Sequence, residues 1–185
     1  MTIQKVLVFL GAKLPSDESY SQAVKELGEG LARRGLTLVF GGSNTGTMTI
    51  LAEAVLQNGG QAVGVTTTAL AKVLHPSLTQ GIVTDSLPER KTTMYDLADA
   101  IIAMPGSLGT FDELFDALER VKIDKSHRRP VKPMAVLNLH GFYDGVLELI
   151  RRSIQEGYSK PRIANLLYSA QSVAELFDWL EKQGN

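Results

Sequence analysis

Three segments of this chain carry residue types that handle anions and protons. They are the turn Gly41-Gly42-Ser43-Asn44-Thr45-Gly46-Thr47-Met48, the pair Arg90-Lys91, and the turn Pro105-Gly106-Ser107-Leu108-Gly109-Thr110 with Glu113 just beyond it. Glycine lets a backbone approach a ligand closely, and the free amides that open a helix attract anions. The first turn lacks the glycine spacing of a dinucleotide fingerprint. It is not a Walker loop either, because no lysine follows its last glycine. Alone, each turn is a tight connection. Two at the same edge of one sheet point to a small phosphate-bearing ligand.

Pro88 suits the first turn of a helix, which puts Arg90 and Lys91 where cations oppose the helix dipole, at a cost of a few tenths to about 1 kcal/mol. A bound anion would explain them. Pairing with Glu89, Asp85 or Asp96 would explain them equally well. Thr110-Phe111-Asp112-Glu113 fits a capping box, in which Glu113 reaches back to the amide of Thr110. That role competes with any part in chemistry.

The remaining candidates are poorer. His75, His127 and His140 lie in different segments without metal-ligand spacing, and there is no cysteine, so no metal site is expected. Ser43, Ser107 and Thr110 sit in no nucleophile elbow and fit phosphate or ribose contacts better. Nineteen basic residues against twenty acidic give a net charge of -1, which favours neither nucleic acid nor an anionic membrane as partner. No apolar stretch is long enough to span a bilayer, and the first residues lack a signal-peptide pattern, so a cytoplasmic protein is expected.

The elements that must position these residues alternate. Strands are expected at Val6–Leu10, Leu36–Phe40, Ala62–Val65, Ile82–Thr84, Ala100–Met104 and Met134–Leu139. Helices are expected after Pro15-Ser16 as far as Arg33-Arg34, through Met48–Leu56, Pro88–Leu97, Phe111–Val121, Phe142–Gln155 and Val173–Leu180. Thr66–Thr79 reads as irregular, and the basic stretch Lys122–Lys132 as a solvated loop. The strands are near-continuous apolar runs, which indicates a parallel sheet covered on both faces. The expectation is a single α/β domain over residues 1–185, a doubly wound, Rossmann-like parallel sheet.

Glu89-Arg90-Lys91, Asp99-Ala100 and Pro105-Gly106-Ser107-Leu108-Gly109-Thr110-Phe111-Asp112-Glu113 together resemble the signature of the LOG family, also labelled lysine decarboxylase-like. Its characterised members are cytokinin riboside 5'-monophosphate phosphoribohydrolases. The first glycine-rich turn also looks like that family's, and the likeness covers nearly the whole chain. The resemblance implies a homodimer that hydrolyses the N-glycosidic bond of a purine nucleoside 5'-monophosphate, without an organic cofactor. It puts Arg90 and Glu113 in the catalytic positions. Gly42, Ser43, Gly46, Thr47, Met48, Lys91, Gly106, Ser107, Leu108, Gly109, Thr110 and Asp112 fall in the nucleotide-binding ones. Departures are Ser107 for the second glycine of the signature, Thr49 after Met48, Leu87-Pro88 before the Glu-Arg-Lys triplet, Gly11-Ala12-Lys13 at the first turn, and an altered segment after Leu118. The alternatives are a non-catalytic nucleotide carrier or sensor of the same fold, and a true lysine decarboxylase, for which no lysine site for pyridoxal phosphate is recognisable.

Overall fold

Among the described residues there are seven strands, six of them grown from the short apolar runs: β1 Lys5–Phe9, β2 Thr37–Phe40, β3 Ala62–Thr67, β4 Gln80–Thr84, β5 Ala100–Ala103, β6 Met134–Leu137 and β7 Tyr168–Ala170. The structure is a computed structural model that describes residues 2–184. All neighbouring strands pair in parallel, in the order β4-β3-β2-β1-β5-β6-β7. Among the described residues six α-helices connect or follow them: α1 Glu18–Arg33, α2 Gly46–Gln57, α3 Leu87–Leu97, α4 Leu108–Ser126, α5 Asp144–Gln155 and α6 Val173–Gln183.

Successive strand side chains point to opposite faces, so each strand supplies both halves of the core. Val6, Val8 and Leu10 pack with Leu27 and Leu31 of α1, Leu51 and Val55 of α2, and Phe177 of α6. Leu7 and Phe9 pack on the other face with Met94 of α3, Leu114 and Val121 of α4, and Tyr143. A sheet buried on both faces requires strands that are apolar almost throughout, and the central strands β2, β1, β5 and β6 are. The chain winds outward from β1 to β4 and then returns to β5 on the other side of β1. The β1–β5 junction is therefore the topological switch point, where a crevice opens at the carboxyl ends of the strands.

The expected strands are all present, with ends shifted by a residue or two. One was not expected: β7 pairs with β6 through Tyr168, Ser169 and Ala170. Three residues of mixed polarity at a sheet edge leave no apolar run to detect. The basic stretch is a correction. Its first part stays helical, because α4 runs on to Ser126. Lys122 pairs with Glu119 and Arg120 with Asp116 along that helix. Lys132 is not a solvated cation either. Its ammonium donates to the carbonyls of Tyr95 and Ala98 at the C-terminus of α3, a position that favours positive charge.

The α1–α2 contact depends on Gly28. A Cβ there would lie 2.7 Å from the Ala54 Cβ and 2.9 Å from the Leu51 carbonyl oxygen. Gly28→Val should force these helices apart and cost about 1–3 kcal/mol of stability. Urea unfolding checks this, as a lower midpoint with an unchanged slope.

Candidate active site

The N-cap of α3 is Ser86, whose hydroxyl accepts from the amide of Glu89; Pro88 falls at the second helical position. Arg90 therefore lies one turn into α3 and points at the sheet. β2 pairs with β3 only as far as Phe40 and Gly64. The ladder, in which Leu38 N donates to the Gln61 carbonyl, would next require an amide at the Val65 carbonyl. The chain has by then turned away at Gly42, with φ of 74°. Arg90 Nε takes the vacant place, donating to the Val65 oxygen at 2.8 Å. The guanidinium passes over Gly41, where a Cβ would lie 2.4 Å from Nη2. Gly41 is a site residue that sequence reasoning missed as such; its signal was the Gly-Gly at a strand end.

The same guanidinium donates from Nη1 to Glu113 Oε1 at 2.8 Å. The two side chains are 12% and 11% exposed, so the pair is nearly dry. This overturns the capping box. The N-cap of α4 is Ser107, which places Glu113 a turn and a half inside the helix, against Arg90 and not the Thr110 amide. It also overturns the pairing of Arg90 with Glu89, Asp85 or Asp96. Burial pushes the Glu113 carboxyl above its ordinary range; Arg90, and more weakly Lys91, pull it back without cancelling the shift. Lys91 itself lies between Asp112 Oδ1 at 3.1 Å and Asp116 Oδ1 at 3.4 Å.

The two glycine turns meet at the carboxyl edge. Gly46, at φ of 53°, sits so close to Ala12 that a Cβ would lie 2.4 Å from its carbonyl oxygen. Thr47 donates its hydroxyl to the carbonyl of Gly11. Gly106 lies against Gly11 and against the Thr110 side chain. Gly42 and Asn44 are instead tied to the 73–75 segment: the Gly42 carbonyl accepts from His75 N at 2.8 Å and Asn44 N donates to Val73 O at 2.7 Å. The Ser43 and Thr45 hydroxyls bond each other, and Met48 packs over Gly41.

At α4 the amides of the first turn are left without a side-chain cap, since the Ser107 hydroxyl makes no capping bond. The Thr110 hydroxyl oxygen is buried and has no hydrogen-bond partner. Ser107 has φ of -118° and ψ of -167°, an extended conformation open to any residue, so serine replaces glycine there without strain. Leu108 is exposed, and the position of a Cβ on Gly109 is open space.

Beside this turn a cleft of about 410 Å³ opens at the switch point. Gly11, Thr47, Gly106 and Ser107 form part of its lining, with Tyr20 and Phe142 among the apolar side chains. Tyr20 and Phe142 meet edge to face at 6.1 Å between centroids. Sequence reasoning missed both, since nothing in the spacing joins residue 20 to residue 142. Tyr143, next to Phe142, is fully buried and donates to the Met104 carbonyl at 2.6 Å, which anchors the chain just before Pro105-Gly106.

Among the described residues no group of three or more histidine, cysteine, aspartate or glutamate side chains could hold a metal ion. Nor is any described helix long and apolar enough to cross a membrane.

Residues 48–180 match the model of a protein family described as possible lysine decarboxylase. A relative in Oryza sativa subsp. japonica, named a probable cytokinin riboside 5'-monophosphate phosphoribohydrolase, is 32% identical over 97% of this chain and 72% of its own length. An Arabidopsis thaliana cytokinin riboside 5'-monophosphate phosphoribohydrolase is also 32% identical, over 96% of this chain and 83% of its own. The chain belongs to the LOG family. Solved structures share the LOG fold at lower identity. The molybdenum cofactor binding protein of Rippkaea orientalis superposes with a TM-score of 0.75 at 19% identity, covering 99% of this chain and 98% of that one. The molybdenum cofactor carrier protein of Chlamydomonas reinhardtii gives 0.69 at 19%, covering 97% of each.

Two substitutions test this geometry. Gly41→Ala should displace the Arg90 guanidinium, and a crystal structure of the variant should show the Arg90–Glu113 bond broken. Tyr143→Phe leaves the Met104 carbonyl without its buried donor and should cost about 1–3 kcal/mol, read from denaturant unfolding.

Proposed function

We propose that the protein hydrolyses the N-glycosidic bond of a purine nucleoside 5'-monophosphate, AMP or an N6-prenylated relative, to free base and ribose 5-phosphate. The observation that carries this reading is the dry Arg90–Glu113 pair at the same sheet edge as an uncapped helix N-terminus. A carrier needs the anion site; it has no evident need of a buried carboxylate held by a guanidinium.

The 5'-phosphate docks at the first turn of α4, on the amides after Ser107, with the Thr110 hydroxyl as a further donor. Gly106, Leu108 and Gly109 let it approach. Gly42, Ser43, Gly46, Thr47 and Met48 form the opposite wall, and Asp112 and Lys91 lie at the rim. Binding remote from the reacting bond positions the sugar. As the bond from C1' to the base nitrogen breaks, its electron pair goes to the base and the sugar gains oxocarbenium character. Ionised Glu113 stabilises that charge and takes a proton from the water whose oxygen bonds to C1'. The proton that Glu113 takes from the water passes on, through solvent, to the leaving base, so the carboxylate is ionised again when the products leave. Arg90 holds Glu113 in place. A homodimer and a cytoplasmic location are part of the same proposal; sedimentation of the purified protein tests the first.

A lysine decarboxylase is less well supported. Lys91, next to Arg90, is held between two carboxylates that keep it above its ordinary range despite burial, as an ammonium and not a nucleophile.

The test is chromatographic detection of free base from a panel of nucleoside 5'-monophosphates. Wild-type protein should release base, and Glu113→Gln should lower the rate by about 100-fold or more. Binding of a nucleotide without release would replace this reading with the carrier or sensor. The reaction needs ionised Glu113, so kcat/KM should fall as pH drops through a pKa above the ordinary glutamate range. Arg90→Met removes the group that lowers that pKa and should move the acid limb to still higher pH.

A further inference from the structure

Arg90 and Lys91 are consecutive on α3, and Asp112 and Glu113 are consecutive on α4. They make two ion pairs side by side: Arg90 to Glu113 at 2.8 Å and Lys91 to Asp112 at 3.1 Å, with Lys91 also 3.4 Å from Asp116. Asp112 and Asp116 are four residues apart and so lie on one face of α4. The Lys91 side chain is 17% exposed, its stem covered and its ammonium in a fork of two carboxylates. Asp116 is held on its other side by Arg120, whose Nη2 also donates to Thr92 on α3. The row therefore ties the first half of α3 to about two turns of α4. Both carboxylates belong to α4, so the fork directs the ammonium at that helix and offsets its charge there.

We propose that Lys91 is a positioning residue: it locks α3 against α4 and balances the charge of Asp112 beside Glu113, and it does not contact the phosphate of the ligand. This rests on the reading of Glu113 as the group that acts on the glycosidic bond. The charged groups around Glu113 are Arg90 and Lys91 on α3 and Asp112 on its own helix; Asp116 and Arg120 complete the row. After burial, Arg90 is the strongest influence on the Glu113 carboxyl. Asp112 raises it and Lys91 lowers it. An arginine in place of Lys91 would keep the charge; a methionine would keep the stem and leave Asp112 unbalanced.

The experiment titrates Glu113 by carboxyl carbon NMR, with Glu113→Gln to assign the signal, in wild type, Lys91→Met, Lys91→Arg and Asp112→Asn. The affinity for ribose 5-phosphate is measured by calorimetry on the same proteins. Lys91→Met should raise the Glu113 midpoint by about half a unit or more, and Lys91→Arg should restore it. Asp112→Asn should lower it; Asp112 is 65% exposed, so this variant keeps the fold even if Lys91→Met does not. Ribose 5-phosphate affinity should change by less than about threefold in Lys91→Met. A midpoint unmoved in both Lys91→Met and Asp112→Asn overturns the proposal. So does a loss of ribose 5-phosphate affinity of about tenfold or more in Lys91→Met, which makes Lys91 a phosphate ligand. The titration needs no turnover. Failure of the wild type to release base removes the hydrolase reading and leaves the account of Lys91 to be decided by the midpoints.

Discussion

A guanidinium and a carboxylate withdrawn from water are costly unless each finds partners for its remaining polar groups. Arg90 and Glu113 meet that condition through the sheet. The guanidinium is shared between Glu113 on α4 and the Val65 carbonyl that β2 leaves open. Much of the local architecture follows from this. β2 must end short of β3, Gly41 must carry no side chain, and α3 must be set against α4 so that residues 90 and 113 face each other. The row from Lys91 to Arg120 holds that spacing.

The glycine-rich turns answer a second constraint, close packing at the switch point. Gly46 against Ala12, and Gly106 against Gly11 and Thr110, bring three strand ends within backbone contact. That packing leaves the start of α4 uncapped and the Thr110 hydroxyl without a partner. Unsatisfied donors at a helix N-terminus favour an anion. Glycine is needed where backbones touch and not elsewhere. Ser107, in an extended conformation, takes the place of a signature glycine without disturbing the turn.

One fold can serve both chemistry and carriage, because function resides in the site and not in the sheet. The LOG family relatives resemble this chain in sequence, and the molybdenum cofactor carriers share its winding. What bears on the difference within this chain is the carboxylate. A carboxylate raised by burial and restrained by a guanidinium stands at the same edge, and proton transfer is the role proposed for it.

The sequence by itself determined the class of the fold and marked the candidate members of the site. Continuous apolar strands can only be buried on both faces, and helical periodicity fixes what covers them. Two glycine-rich turns at strand ends then fall at one edge, and the Arg-Lys and Thr-Phe-Asp-Glu segments were recognisable as groups. Which member touches which was decided by the tertiary structure. The same four residues, Thr110 to Glu113, fit a capping box until the helix is seen to begin at Ser107. Arg90 had three carboxylates nearby in sequence and chose one 23 positions away. Lys132 was a surface charge in the sequence and is a cap for α3 in the fold. Tyr20 and Phe142 shared no spacing and line one cleft. Local patterns record the period of an element, which depends on neighbours in the chain. Ion pairs, caps and clefts depend on neighbours across elements, and these exist only once the sheet has brought the strand ends together.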